Sequence, residues 1–196
     1  MIFFNPPEFF PPLKFFFGLL NSDVWIARDH IHFTVRSTQC RCRIRSQTGI
    51  QVLPVAVNRP CSKLICEMSI NNWKPWRRFF LSQIRRNYAD SPYLPEIYPE
   101  LEGLVNAPSV MLETLNVETT KWVANLLGKK AVPVVYSSLV NRNSEAYLKL
   151  RKEAFSAPFK HPYYRQMVEP FEEGLSVLDA LLCAGADNVR EMLKHG

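Results

Sequence analysis

The N-terminal segment, residues 1–27, is the feature that most restricts the fold. Two short apolar runs, residues 2–4 and 23–27, flank a longer apolar segment at Leu13–Leu20. The outer runs have the length of strands and the middle one the length of a helix, so the pattern predicts strand, helix, strand. Two strands joined through a helix can lie parallel, with a right-handed connection. The segment therefore indicates the start of an α/β fold.

The same segment is apolar enough to suggest a membrane span or an export signal, but four prolines interrupt it: Pro6, Pro7, Pro11 and Pro12. A spanning helix needs about 20 mostly apolar residues without a break. No basic residue precedes the apolar run, and no small-residue cleavage site follows it. We therefore predict that this segment belongs to the core, with no membrane span.

The chain has five cysteines, an odd number: Cys40, Cys42, Cys61, Cys66 and Cys183. Without an export signal, an odd number argues against a framework of disulfides. We expect reduced thiols and a cytoplasmic protein.

In the rest of the chain, predicted strands and helices alternate less regularly. The runs 39–45, 50–57 and 64–70 have the character of strands, broken at 48–49 and 59–60, and the first break predicts a hairpin. Helices are predicted at 76–88, 93–105, 112–127 and 145–155, with two more in 175–193 and a buried strand at 131–136. We predict one α/β (or α+β) domain over residues 1–196, with a small mixed sheet, an N-terminal β-α-β unit, a β-hairpin region and a helical C-terminal half.

The charge is uneven along the chain. Of the net +6, residues 1–90 carry 13 Lys and Arg against 5 Asp and Glu, whereas residues 91–196 carry 11 against 13. A basic half attracts anions, including phosphorylated metabolites, nucleotide sugars and nucleic acid. A solvated basic face is the alternative interpretation.

Three arginines alternate along one predicted strand: Arg41, Arg43 and Arg45. Their spacing places the three guanidinium groups on one face, where they repel one another unless an anion lies among them. The pattern therefore implies an acidic partner. Pairing with Asp29, Glu67 or carboxylates from the second half of the chain is the intramolecular alternative.

Asp29 and His30 follow directly on the second predicted strand, at an edge where α/β sheets often place functional groups. A carboxylate beside a histidine can orient the imidazole and tune its protonation, which makes a general base near neutral pH. We therefore take His30 and Asp29 as candidate catalytic residues. Neighbouring strand residues point in opposite directions, however, so a surface or capping role for each is an alternative.

The sequence holds two pairs of residues that could bind a metal. His30 with His32, and Cys40 with Cys42, could converge on zinc if their segments were adjacent strands, but structural zinc sites usually have C-x2-4-C spacing. The chain has no G-x-S-x-G elbow, P-loop, G-x-G-x-x-G or H-E-x-x-H sequence. We predict no metal and no cofactor, and the motifs define no enzyme class.

Several pieces of the sequence nevertheless occur in a characteristic order. The pieces are Pro7-Glu-Phe-Phe-Pro-Pro12, Asp29-His30, Arg41-Cys-Arg-Ile44, Gly49, Leu53-Pro-Val55, Trp76, Tyr88-Ala-Asp-Ser-Pro-Tyr93, Leu115-Asn116, Leu126-Leu-Gly128, Tyr164-Arg-Gln166, Leu175-Ser-Val-Leu-Asp179 and Gly185. This order resembles the WbqC-like family of bacterial proteins, and the resemblance extends over nearly the whole chain.

The resemblance implies a role in surface-polysaccharide biosynthesis of the O-antigen type. The implied reaction is transfer of an acyl or aminoacyl group to an amino sugar or nucleotide sugar. It also points to Arg41, Arg43 and Asp179 as substrate-binding residues beside His30. For Asp179 an N-terminal capping box with Ser176 is the alternative.

Three departures from the family pattern raise the hypothesis of a different ligand or an inactive member. Relatives commonly carry Tyr-x-Lys and Arg-Asn-Arg where this chain has Phe33-Thr-Val35 and Gln39-Cys-Arg41, and often a His where it has Phe80.

Two functions remain open from the sequence. The first is a transferase acting on a phosphorylated or nucleotide-linked small molecule. The second is a non-catalytic anion-binding, nucleic-acid-binding or assembly module that uses Arg77, Arg78, Arg85 and Arg86. Single-strand binders stack bases on exposed aromatic side chains, whereas the aromatic residues of this helix are predicted on its apolar face.

Overall fold

The predicted N-terminal unit is confirmed in the computed structural model, which describes residues 1–58 and 64–194. Strand β1 (Ile2–Asn5), helix α1 (Leu13–Leu20) and strand β2 (Val24–Ala27) follow one another, and β1 pairs with β2 in parallel. The proline-rich apolar segment is core as expected, since Phe9, Phe16 and Trp25 are fully buried. The predicted break at 59–60 and Cys61 lie outside the described residues.

The hairpin is also confirmed. Strands β3 (Arg41–Ser46) and β4 (Gly49–Pro54) pair antiparallel, and Ser46 lies opposite Gly49 at the turn. Gly49 has a positive φ of 123°, a conformation that a side chain would strain.

Helices make up most of the remaining chain, as predicted. They are α2 (Trp76–Asn87), α3 (Leu94–Asn106), α4 (Leu112–Leu126), α5 (Glu145–Lys152), α6 (Val177–Ala184) and α7 (Ala186–Lys194). On α2 the predicted apolar face is buried, with Phe80 stacked on Phe10 at a ring distance of 5.7 Å, while Arg78 and Arg85 face solvent.

Strand β5 (Val134–Tyr136) pairs in parallel with β2 and completes a three-stranded sheet in the order β1-β2-β5. The parallel and antiparallel strands thus form two small sheets. The prediction of a buried strand at 131–136 is wrong in its burial, because Val135 is 40% exposed and Val134 is only half-buried. β5 has one partner strand, so one of its sides lies at the sheet edge.

The strand predicted at 64–70 is wrong. Residues Ile65–Glu67 form a 3-10 turn, and the flanking residues make only isolated bridges. The backbone amides of Ile65 and Cys66 donate to the carbonyls of Ile31 and Asp29, whereas the amide of Ile70 donates to that of Val110. Because these partners belong to separate segments, no continuous ladder forms despite the apolar composition.

A buried carboxylate joins the hairpin to the C-terminal helices. Asp179 of α6 is fully buried, and its oxygens accept hydrogen bonds from the hydroxyls of Tyr88 (2.5 Å) and Tyr164 (2.8 Å). The Tyr88 hydroxyl also accepts from the amide of Arg45 at 3.2 Å. Burial raises the pKa of Asp179, and the two tyrosine hydroxyls oppose that shift. The carboxyl therefore connects α6 with the segment after α2 that contains Tyr88 and with the segment that contains Tyr164.

We expect Asp179→Ala to lower the free energy of unfolding by about 3 kcal/mol, because it leaves two buried tyrosine hydroxyls without an acceptor. Asp179→Asn keeps the shape and should lower it less. Urea denaturation measures both, with the exposed Asp187→Ala as control. A change within about 0.5 kcal/mol for Asp179→Ala would contradict this structural role.

Candidate functional site

The carboxyl ends of the three parallel strands converge on one polar edge. Arg28, Asp29 and His30 follow β2, while Ser137 and Ser138 follow β5, its neighbour. Parallel strands bring their carboxyl ends to the same edge, where open α/β sheets commonly bind ligands. This edge therefore contains both predicted catalytic residues.

Asp29 is held by the end of the neighbouring strand. Its side chain is inside the protein, since the residue is only 1% exposed. One carboxylate oxygen accepts from the hydroxyl of Ser137 and the amide of Ser138, both at 2.8 Å, and the other accepts from the Ser138 hydroxyl. A buried carboxylate requires such donors to replace water. The three hydrogen bonds thus join β2 to β5 beyond their paired residues.

The same chain of hydrogen bonds determines the tautomer of His30. The single proton of the Ser137 hydroxyl is donated to Asp29, so the Ser137 oxygen is left to accept the Nδ1 proton of His30, with which it is in contact. His30 Nε2 then has a free lone pair. The orienting carboxylate predicted from the sequence is present, but it acts through Ser137.

The surroundings of His30 keep the imidazole neutral at neutral pH. Partial burial lowers its pKa below the usual 6.5, and the positive charges of Arg142 and Arg28 lower it further, while Asp29 acts in the opposite direction. A neutral imidazole with a free Nε2 can accept a proton, which is what a general base requires.

A cavity of about 570 Å³ opens beside His30. Among the described residues, its lining includes three arginines and no carboxylate. The lining residues are Phe4, Arg28, His30, Val140, Asn141, Arg142, Asn143, Tyr147, Leu148 and Arg151. Three guanidinium groups on one cavity without a negative side chain favour an anionic ligand, because guanidinium pairs with phosphate and carboxylate through parallel hydrogen bonds.

Two donors in this lining lack a protein partner. Arg28 Nε and the Tyr147 hydroxyl are both buried and make no hydrogen bond within the described part of the chain. The Arg28 guanidinium lies 5.3 Å from the centre of the ring of Phe4, another lining residue. Buried donors are nearly always satisfied in folded proteins. Arg41 Nε and Thr120 Oγ1, outside the lining, share this status, so it does not by itself indicate a ligand.

Behind Asp29 lies a second carboxyl, that of Glu113 in the first turn of α4. It is within hydrogen-bonding reach of Asp29; burial, and then the charge of Asp29, raise its pKa to about 7. Burial and the same two carboxyls raise the pKa of the nearby Cys66 thiol. Glu113 is therefore about half-protonated at pH 7 and mostly protonated below it, and in that form it has a proton that it can donate to Asp29.

The other predicted site residues lie elsewhere. Arg41 and Arg43 on β3 do not line the cavity; Arg41 is half-buried and Arg43 is exposed. Arg45 is buried against the Val168 carbonyl and lies 3.8 Å from Glu172, so the intramolecular alternative holds for this arginine. Asp179 occupies the buried network described above.

Two other arrangements suggested by the sequence are the capping box at Asp179 and a zinc site. Ser176 caps α6 by accepting from the Leu178 amide, but the Asp179 carboxylate bonds the tyrosines and does not complete a capping box. Of the four groups considered for zinc, Cys40 and Cys42 are buried while His32 is exposed. Across residues 1–58 and 64–194, no three His, Cys, Asp or Glu side chains are placed to hold a metal ion.

Several site residues were not predicted from the sequence. Ser137 and Ser138 were predictable in principle, because they follow a predicted strand just as Asp29 and His30 do. Arg151 lies one helical turn after Tyr147, a spacing that places both on one face of α5. Glu113 gave no local signal, since its partner Asp29 is 84 positions away in the chain.

Comparison with known proteins gives the class. The WbqC-like protein family matches residues 6–158, most of the chain, and the protein belongs to that family. No curated protein matches the sequence. No solved structure matches it either.

The family match bears on the predicted site. It includes Asp29, His30, Arg41, Arg43 and every cavity residue except Phe4, but it ends before Tyr164-Arg-Gln166 and Asp179. The resemblance is thus shorter than the nearly complete coverage expected from the sequence pieces. Separately, none of the helices in the described residues is long and apolar enough to cross a membrane.

Glu113 predicts a pH dependence of stability. Its pKa is about 7 in the folded protein against a usual 4.5. Between these values the folded state binds more protons than the unfolded state. The stabilising contribution of Glu113 to the free energy of unfolding is therefore complete below pH 4.5 and is lost as pH rises through 7.

Glu113→Gln should remove this loss while keeping a hydrogen-bond donor for Asp29. After allowance for the partial exposure of Glu113, we expect the variant to exceed the wild type in Tm by about 2–4 °C at pH 8, with a smaller difference at pH 5. Thermal unfolding followed by circular dichroism measures both. Parallel pH profiles for the two proteins would contradict the assignment.

Proposed function

We propose that this protein is a transferase of surface-polysaccharide biosynthesis that binds a phosphorylated or nucleotide-linked amino sugar in the cavity beside His30. Its reaction is transfer of an acyl or aminoacyl group to the sugar amine. The observation that carries the proposal is the combination, in one cavity, of three arginines and a neutral histidine.

The phosphate end of the substrate has the best-defined binding partners. Arg28 follows β2, while Arg142 and Arg151 come from a loop and a helix that follow β5. Their charges complement a phosphate or diphosphate, and Asn141 and Asn143 add amide groups that can bond sugar hydroxyls. Phe4, Tyr147 and Leu148 supply apolar area for the sugar ring or a base.

His30 supplies the proton acceptor for the chemical step. The amine nitrogen attacks the carbonyl carbon of an activated acyl donor, a thioester or aminoacyl ester, and the new C–N bond forms as the C–S or C–O bond breaks. Nε2 of His30 takes the proton released by the amine and returns one to the departing thiolate or alkoxide. The contact between Nδ1 and Ser137 holds the ring for both transfers.

The arginines provide the first test. We expect Arg142→Gln and Arg151→Gln each to weaken binding of uridine diphosphate and of a uridine diphosphate amino sugar by about tenfold or more, because each removes a charge-assisted contact to phosphate. Isothermal titration measures the affinities. Arg43→Gln, an exposed arginine outside the cavity, is the matched control. Weaker binding in Arg43→Gln alone would move the anion site to β3.

His30 separates binding from chemistry. His30→Gln should lower the transfer rate by about 10²–10⁴-fold and leave ligand affinity at pH 8 nearly unchanged. In the wild type, affinity for inorganic pyrophosphate should increase as pH falls below 6.5, since protonated His30 adds a positive charge to the cavity.

The variant should lack this increase in affinity, which fluorescence or calorimetric titration can follow. If the transfer rate is equal in both proteins, His30 is not the base. Ligand binding without any transfer would favour the second candidate, a non-catalytic anion-binding module, for which the same arginine-lined cavity is sufficient.

A further inference from the structure

A second surface, remote in sequence from the cavity, lies where α2 begins. Trp73 precedes α2 and is 98% exposed, and Val110 in the α3–α4 connection is 67% exposed. The two loops lie side by side, because the Asn72 side chain donates to the Ser109 carbonyl at 3.1 Å. With Phe79, Lys74 and Arg78 of the same region, these residues are called the Trp73 corner.

The backbone beneath the Trp73 corner is well fixed. The Trp73 amide donates to the Asn71 side chain at 3.2 Å. Arg77 donates to the Val105 carbonyl at 2.8 Å and also bonds Asn72, so it ties the loop to the end of α3. These hydrogen bonds, and not packing of the Trp73 indole, hold the loop. The loop therefore presents one of the largest apolar side chains to water. Such exposure indicates an interaction surface.

Positive charge borders the apolar side chains. Lys74 and Arg78 lie within the corner, and Arg85 and Arg86 continue along the exposed side of α2. Arg85 lies 3.9 Å from Glu102, which partly offsets its charge. The surface is therefore cationic, with apolar groups at its outer end.

This combination matches a bilayer interface that contains anionic lipids. Tryptophan is enriched at the level of the headgroups, and exposed cations beside it are attracted to anionic phosphates. Nucleic acid would share the cations, but a stacking surface needs several exposed aromatic faces. The corner has Trp73 and the partly exposed Phe79, and the partner of Trp73 in the other loop is the aliphatic Val110, while Trp76 and Phe80 of α2 are buried in the core.

We propose that the Trp73 corner docks the protein on the surface of an anionic membrane, with Trp73 and Val110 entering the headgroup region and Lys74, Arg78 and Arg86 contacting lipid phosphates. This is peripheral binding and is independent of the function proposed for the cavity.

Co-sedimentation of the full-length chain with phosphatidylglycerol–phosphatidylcholine vesicles tests the proposal. The wild type should bind these vesicles at low salt, release them as salt increases, and bind pure phosphatidylcholine weakly. Trp73→Ser with Val110→Ser should reduce binding roughly tenfold, as should Arg78→Gln with Arg86→Gln. Tyr163→Ser, which removes an aromatic side chain that is 66% exposed elsewhere, should leave binding unchanged.

Trp73→Phe adds a readout for the residue itself. The other tryptophans are buried or partly buried, so vesicle binding should shift wild-type emission to shorter wavelength. Trp73→Phe should bind vesicles but lack the shift. Three results would overturn the proposal: no binding to anionic vesicles at low salt, wild-type binding by the Trp73→Ser, Val110→Ser protein, or Trp73-dependent binding of an oligonucleotide without vesicle binding. Circular dichroism of each variant checks its fold.

Discussion

The burial of Asp29 is the interaction on which the candidate site depends. A carboxylate removed from water must be surrounded by donors, and the nearest ones belong to Ser137 and Ser138 at the end of the neighbouring strand. This requirement holds the carboxyl ends of β2 and β5 together beyond their paired residues. It also uses the Ser137 proton, so that the hydroxyl oxygen is left to orient His30. One chain of hydrogen bonds, from His30 through Ser137 to Asp29, thus both joins the two strands and orients the imidazole.

The electrostatics of the cavity follow from that arrangement. The negative charge at the edge of the sheet lies inside, on Asp29, whereas the charges on the cavity lining are those of Arg28, Arg142 and Arg151. A ligand therefore meets positive charge and a neutral imidazole. Below pH 7 the mostly protonated Glu113 beside Asp29 adds no negative charge. In the cavity without a ligand, burial and the arginine charges thus keep the imidazole neutral.

Much of the local structure was predictable because it depends on neighbours in the chain. The four-residue period of Trp76, Phe80, Ile84 and Tyr88 predicts the α2 face that is buried, and the β-α-β unit follows from apolar run lengths. Residues 64–70 were not predictable in this way, because Ile65 and Ile70 bond different segments. The sequence likewise left the partner of Arg45 open, because Glu172, which lies 3.8 Å from it, is distant in the chain.

The sequence by itself determined the fold class, the buried N-terminal segment and the position of Asp29-His30 at the end of a strand, since periodicity, proline positions and strand ends are local properties. Only the tertiary structure decided which groups share the site. Arg28, Arg142 and Arg151 gather around His30 because β5 pairs beside β2, and that pairing joins segments more than 100 positions apart. Arg41 and Arg43 are close to His30 in sequence, but they lie on the separate β3–β4 hairpin and outside the cavity lining.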